Sequence, residues 1–321
     1  MLKRIFSGIG FILLIALTGC EEEGIRLNQI QIIGTHNSYH LRPSKEILES
    51  PRGASLDYSH APLRVQLEAG VRSFAIDIYQ TEKDFRVLHI PVRDEGTNCE
   101  TLKECLSEIT KWSDQHPEHI PLIVFIEVKN LKQPIGDLVP ADRDGMDRLE
   151  AMLWKQLTSK KLLTPDDVRG DETTLEFAIL NKGWPLLDSI RGKILIVLNA
   201  PEALQAYYTA TAPSLKGRAM FVKVEPGQPE AAVVVSNDPR SEKTSDWIRK
   251  GYLVRTRVDT GVKEAAANDV TNRDAALENG SHILTTDFPL PTPHPKTGYV
   301  VALPQGQSWR PNPVTSSIEH N

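Results

Sequence analysis

Polar residues able to do chemistry interrupt the apolar runs of this chain at their downstream ends. The first run stops at Gly34-Thr35-His36-Asn37-Ser38-Tyr39. A second carries Asp77 within Ser73-Phe74-Ala75-Ile76-Asp77-Ile78-Tyr79, and a third ends in Val87-Leu88-His89-Ile90-Pro91. Ile126-Glu127-Val128-Lys129, Val254-Arg255-Thr256-Arg257-Val258-Asp259 and Thr285-Thr286-Asp287-Phe288-Pro289 close later runs. A histidine beside an amide, an acid, a second histidine, an acid and a pair of arginines follow one another in chain order. That set suits the cleavage of a phosphodiester. A hydroxyl attacking phosphorus needs a base and the leaving alkoxide needs an acid, and His36 and His89 can supply both near neutral pH. Charge grows on the phosphate oxygens, so a hard cation or an arginine helps. The oxygens of Asn37, Asp77 and Glu127 suit Ca²⁺ or Mg²⁺. Zinc would draw the histidines to itself and away from proton transfer. Lys129, Arg255 and Arg257 are the candidate contacts to substrate.

Each residue also has a plainer reading. His36 could cap a strand end and His89 could be structural. Asp77 and Glu127 lie inside apolar strands, where an acid is costly unless it is paired or metal-bound. Salt bridges to Lys129 or Arg72 would satisfy them without any ion. Arg255 and Arg257 alternate on a strand and so share one face, which points either to phosphate or to a solvated rim. His116 and His119 read as solvated loop residues, and His40, His60 and His294 carry no signal.

Parallel strands would have to hold these residues. Nine apolar stretches have strand length and composition: 29–34, 71–79, 85–90, 121–129, 193–199, 220–224, 232–236, 253–258 and 282–286. Many are nearly continuous in Val, Ile and Leu, as in strands covered on both faces. Helical patterns at 61–69, 101–115, 144–160, 241–250 and 262–279 alternate with them. The alternation predicts an α/β fold with a parallel sheet. Six to eight such units favour a single-domain TIM-like (β/α) barrel, either complete or distorted and incomplete, with chemistry at the carboxyl ends of its strands. The stretch 161–187 and the Pro-rich tail have no clear pattern. The expected division is a leader over 1–19, a tether over 20–28, the barrel over 29–290 and the tail over 291–321.

The leader is read from Lys3 and Arg4, the apolar run from Ile9 to Leu17, and Leu17-Thr18-Gly19-Cys20. The apolar run is too short for a membrane span and reads as an export signal. Its last four residues look like a bacterial lipobox, with Cys20 as the lipidated residue; a plain signal peptide with a chance cysteine is the other reading. The expected protein is an exported bacterial lipoprotein, held by acyl chains at the periplasmic or outer face of a membrane and monomeric. The net charge is −5, and loss of Lys3 and Arg4 makes the remainder more acidic. Bulk attraction to nucleic acid is thereby excluded. Export puts Cys99 and Cys105 in an oxidising compartment. They flank Thr101-Leu102-Lys103-Glu104, a capping box that starts a helix. A disulfide there would staple the entry loop to the first helical turn, the alternative being two free thiols.

Taken together, these motifs resemble the phosphatidylinositol-specific phospholipases C, and more narrowly their bacterial calcium-dependent branch. The resemblance rests on Gly34-Thr35-His36-Asn37-Ser38-Tyr39, Asn98-Cys99-Glu100-Thr101-Leu102-Lys103-Glu104-Cys105-Leu106, Trp112-Ser113-Asp114, His116-Pro117, Arg255-Thr256-Arg257 and Thr286-Asp287-Phe288-Pro289. It runs from about Ile30 to Pro289. It implies a TIM-like barrel and Ca²⁺-assisted cleavage on the diacylglycerol side of the phosphate. It also implies that His36 and His89 are catalytic and that Asn37, Asp77 and Glu127 are calcium ligands. One position departs from the pattern. The family usually carries an acid two residues before the equivalent of Asp77, on the same strand face, and this chain has Ala75. Two rival readings follow: glycerophosphodiester hydrolysis on a related barrel, whose signature usually begins His-Arg-Gly, and a non-catalytic lipoprotein that binds inositol or phosphate through a decayed metal site.

Overall fold

The structure, a computed structural model, describes residues 24–316. The leader, Cys20 and the beginning of the tether lie outside the described residues. Among the described residues, ten strands run in chain order: β1 (Ile30–Thr35), β2 (Ser73–Gln80), β3 (Phe85–Val87), β4 (Leu122–Val128), β5 (Ile194–Asn199), β6 (Met220–Val222), β7 (Val233–Val235), β8 (Leu253–Arg257), β9 (Ile283–Thr286) and β10 (Arg310–Pro311). Eight of them form a parallel sheet in the order β6-β5-β4-β2-β1-β9-β8-β7. The sheet curls into a nearly closed, TIM-like barrel. A seam remains between β6 and β7, which one isolated bridge joins, Lys223 to Val233. The runs Leu122–Val128 and Ile194–Asn199 are rich in Val, Ile and Leu because barrel interior and outer helices cover both their faces.

The helix Leu102–Gln115 shows how sequence sets an element. Thr101 Oγ1 accepts from Glu104 N at 3.2 Å, and Glu104 Oε2 accepts from Thr101 N at 3.1 Å. Leu102, Leu106 and Ile109 then bury one face in the main core. A disulfide joins Cys99 to Cys105, Cα to Cα 5.3 Å, and ties the incoming loop to this first turn.

Four stretches differ from expectation, the first being 161–187, which holds the helices Pro165–Arg169 and Leu175–Asn181 and packs Val168, Leu175 and Ile179 into the main core. The run 85–90 is not a full strand: β3 stops at Val87 and pairs antiparallel with β2. Ile90 and Asp94 then close a tight loop through paired backbone bonds of 3.0 and 2.8 Å, which lifts His89 off the sheet. The helical pattern over 262–279 breaks into Lys263–Ala267 and Thr271–Glu278 at Asn268, whose φ is 51°. The tail is not patternless in space. Tyr299, Val301 and Leu303 pack with Ile33, Val258 and Phe288 in a second apolar cluster, and β10 pairs with β1.

Candidate active site

The carboxyl end of the barrel opens into a cavity of about 150 Å³ lined by His36, Asn37, Asp77, Glu127, Arg255 and Arg257, among others. Local chemistry in the first motif explains how β1 delivers two of these. Gly34 is where β1 meets β2, opposite Ser73; a Cβ there would lie 2.9 Å from Ser73 Cβ, so only glycine allows the approach. The turn that follows is locked by short polar side chains. Thr35 Oγ1 donates to Gln66 Oε1 at 2.9 Å, Gln66 Nε2 donates to Ser38 O at 2.7 Å, and Ser38 Oγ accepts from Ala75 N at 2.8 Å. Asn37 takes a left-handed conformation, φ 45°, which asparagine tolerates better than most residues. Its amide Nδ2 donates to Tyr58 OH at 3.0 Å, leaving Oδ1 as its other polar end.

Each histidine has a carboxylate behind it. His36 Nδ1 lies 2.9 Å from Asp287 Oδ1, and Arg257 Nη2 donates to Asp287 Oδ2 at 2.8 Å. An ionised carboxylate only accepts, so the His36 proton sits on Nδ1 and the lone pair on Nε2. Burial, followed by the Arg257 charge, holds the His36 pKa well below the ordinary imidazole value, with Asp287 opposing the fall. The ring is therefore neutral at physiological pH. Burial works to raise the Asp287 pKa, but Arg257 and His36 pull it far down.

His89 is built the same way from different elements. Its Nδ1 lies 2.7 Å from Asp94 Oδ2, and Asp94 also meets buried His40 Nε2 at 3.0 Å. Burial would raise the Asp94 pKa, but the bonds from His40 and His89 bring it down to about 2. His40 stacks on Tyr58, ring centroids 4.2 Å apart. Among the described residues, His40, His89 and Asp94 are the one group of His, Cys, Asp and Glu drawn close enough to share a metal. The hydrogen bonds between them already account for that closeness. His89 does not line the cavity itself.

Asp77 and Glu127 face each other in register on β2 and β4. For Lys129 both a substrate contact and a bridge to these acids were open, and the structure has the bridge. Lys129 Nζ lies 3.0 Å from Asp77 Oδ2 and also meets Glu127 Oε1. The Asp77 contact is an ion pair without hydrogen-bond alignment, so Asp77 Oδ2 is a buried oxygen with no well-directed donor. Burial pushes the Asp77 pKa up to about 6, with Lys129 opposing. Arg72, the other candidate, instead donates to backbone carbonyls and covers Trp112. Arg255 lies over the Phe125 ring, 4.8 Å from its centroid, and donates to Thr285 at 2.9 Å. Both arginines of β8 thus face the cavity and not a solvated rim.

Asp94 and His40 carried no sequence signal, since a loop acid five residues after a histidine belongs to no periodic pattern. Asp287 was visible as a strand-end acid but had no partner until β9 was set beside β1. Asn199 was equally hidden; its Nδ2 donates to Glu127 Oε2 at 3.1 Å. His116 and His119 are not simply solvated. His116 stacks on Trp112, and His119 lies buried against Ser113 at 2.7 Å.

Comparison with known proteins gives this geometry its context. Several solved structures share the fold. A calcium-dependent phosphoinositol-specific phospholipase C from the Gram-negative bacterium Pseudomonas sp. superposes with a TM-score of 0.60 at 17% identity, over 90% of this chain and 96% of that one. A Ca²⁺-dependent phosphatidylinositol-specific phospholipase C from Streptomyces antibioticus gives 0.61 at 17%, over 90% and 99%. A phosphatidylinositol-specific phospholipase C from Staphylococcus aureus gives 0.51 at 11%, over 86% and 91%. No curated protein sequence matches the chain. The family model for Ca²⁺-dependent phosphoinositide phospholipase C matches residues 25–84 and 81–313, nearly all of the described chain. With that match over both histidine loops and the acid-bearing strands, the chain belongs to the Ca²⁺-dependent phosphoinositide phospholipase C family.

Proposed function

We propose that the chain is a phosphoric diester hydrolase of the phospholipase C type that cleaves phosphatidylinositol with His36 and His89 as its acid and base. The observation that carries this reading is the matched construction of the two histidines. Each ring is fixed through Nδ1 by a buried carboxylate, which leaves Nε2 free to exchange protons. His36 shares its cavity with half-buried Arg255 and Arg257, and in this reading the two imidazoles serve an inositol 2-hydroxyl that attacks phosphorus and a glycerol oxygen that leaves. The arginines stabilise the charge that gathers on the phosphate oxygens.

The donors fit a hard divalent cation. Asn37, Asp77 and Glu127 line one cavity, all three offer oxygen, and Asp77 Oδ2 lacks an aligned donor. In this reading those residues hold Ca²⁺. The bound ion would supply positive charge to the phosphate and lower the pKa of the attacking hydroxyl. The chain's own part is to keep the carboxylates in register, hold the His36 proton on Nδ1 and screen the site with Phe125. Ala75 leaves this set one carboxylate short.

The test is incubation of the soluble domain with phosphatidylinositol, phosphatidylcholine and glycerophosphoinositol, with and without Ca²⁺. Cyclic inositol phosphate from phosphatidylinositol alone is the expected product. Cleavage of phosphatidylcholine at a comparable rate, or a glycerophosphodiester preference without a cyclic product, would overturn the reading in favour of the glycerophosphodiesterase rival. No turnover of any substrate would favour the non-catalytic one.

The same proposal includes membrane attachment through Cys20, motivated by Leu17-Thr18-Gly19-Cys20 after a signal-like segment. Cys20→Ser should leave the protein unprocessed or release it from the membrane fraction. A Cys20→Ser protein that is still processed, acylated and membrane-bound would refute the lipobox.

A further inference from the structure

We infer that Lys129 is a built-in counter-cation that competes with the divalent ion for Asp77 and Glu127, so that ion binding requires the ammonium to withdraw. The inference rests on the reading of Asn37, Asp77 and Glu127 as the ion's ligands.

Strand geometry creates the competition. Asp77 on β2 and Glu127 on β4 are direct register partners, so their side chains leave the sheet on the same side and next to each other. Two like charges so placed repel unless a cation lies between them. Lys129 follows Glu127 by two residues, so it shares that face. Its backbone N–H still pairs with Ile78 O at 2.9 Å, which keeps it in strand register just past the end of β4. The ammonium reaches back between the acids, 3.0 Å from Asp77 Oδ2 and in contact with Glu127 Oε1. Asn199 holds the other Glu127 oxygen at 3.1 Å. Three of the four carboxylate oxygens therefore already have a partner before any ion arrives, Asp77 Oδ2 through charge alone and without hydrogen-bond alignment.

A divalent ion would need those same oxygens, and two cations cannot share them at such short range. Ala75 sharpens the effect. A third acid on this face would leave more uncompensated negative charge beside the ammonium, whereas here one positive side chain already offsets one of only two negative ones. Withdrawal is sterically open: Lys129 keeps 26% of its side chain exposed and Glu127 keeps 41%. A long, flexible, strongly hydrated ammonium is well suited to a place that must be given up. The competition makes the ion site weak by construction, and Lys129, which is not itself a ligand, sets the ion concentration needed.

Calcium binding measured by titration calorimetry on wild type, Lys129→Met and Lys129→Arg tests this. Lys129→Met should bind Ca²⁺ at least about tenfold more tightly than wild type, while Lys129→Arg should stay as weak as wild type. Equal affinity in Lys129→Met and wild type overturns the inference. So does tightening in Lys129→Arg as large as in Lys129→Met, since bulk and not charge would then be the cause. A second measurement does not depend on a variant that folds. Acetylation of the Lys129 amine in wild type, followed by mass spectrometry, should accelerate when Ca²⁺ is added, and an unchanged rate overturns the inference. Failure here is separable from failure of the proposed function. Unchanged affinities alongside Ca²⁺-dependent formation of cyclic inositol phosphate would remove only the competition. Tightened affinities with no cyclic product from any variant would remove only the reaction.

Discussion

His36→Ala and His89→Ala are each expected to lower turnover of phosphatidylinositol by about 10²-fold or more, the usual size of a lost acid or base. Both rings are part-exposed, with 29% and 22% of the side chain accessible, so truncation opens no large core cavity. Thermal melting should accordingly stay near wild type, which separates lost chemistry from lost fold. The carboxylates behind the rings give a sharper version of the test. In Asp287→Asn the new amide can donate to His36 Nδ1, so the ring's own proton moves to Nε2 and the lone pair turns away from the substrate. A loss of roughly 10²- to 10⁴-fold is expected from that tautomer change alone, as for the corresponding exchange in a serine-protease triad. Asp94→Asn is the parallel experiment at His89. A folded His36→Ala or His89→Ala enzyme with near wild-type rates would take that histidine out of the mechanism. Loss on His36→Ala with full activity in a folded Asp287→Asn would keep the histidine but refute the assigned tautomer.

Removal of divalent cation should be as damaging. Chelator is expected to cut turnover by at least about 10²-fold, because a bound ion typically contributes several kcal/mol to a phosphoryl transition state. Restored Ca²⁺ should recover it. Asp77→Asn removes one of only two carboxylates in the proposed ligand set, so the Ca²⁺ needed for half-maximal activity should rise about tenfold or more. Ala75→Glu should lower that requirement, provided the new carboxylate reaches the ion from its place on the same face of β2, opposite Phe125. The alternative is that Arg255 and Arg257, already fixed at the cavity, carry the phosphate charge without an ion. In that case turnover would persist in chelator and Ala75→Glu would do harm by pairing with an arginine. Chelator-resistant activity of the wild-type protein would therefore end the calcium reading, while leaving the two histidines untouched.

The environment of Ala75 shows why that position bears on both experiments. Its backbone N–H is held by Ser38 Oγ at 2.8 Å and its C=O by Ser38 N at 2.8 Å. A side chain there would enter the cavity from a rigid base. The loop that carries Asn37 and the strand that carries Asp77 are thus tied together at Ala75, the position where the family resemblance implies an acid. A neutral side chain at a fixed point of the site is a local change in charge, not a loosening of the scaffold.

The sequence by itself determined the eight strands of the parallel sheet to within a few residues, the long helices and the polar residues that end the strands. Such information is local. Period and composition mark β4 and β5 because both faces are buried, Thr101 and Glu104 mark a helix start by satisfying each other's backbone, and the Gly34–Tyr39 motif records a turn that only small and polar side chains can make. What the tertiary structure decided is which residues act on which. Asp287 stands behind His36 because β9 pairs with β1 across a separation of some 250 residues, and no spacing rule carries that pairing. Asp94 and His40 meet at His89 because a short loop turns back after β3, where periodicity had suggested a longer strand. Lys129 and the two acids could be read from sequence as ligands, as substrate contacts or as a salt bridge, and only the β2–β4 register put the ammonium between them. The physical reason is the range of the interactions. Backbone preference and burial pattern act within a few residues, whereas charge pairing depends on distances of about 3 Å that exist only once distant strands are brought side by side.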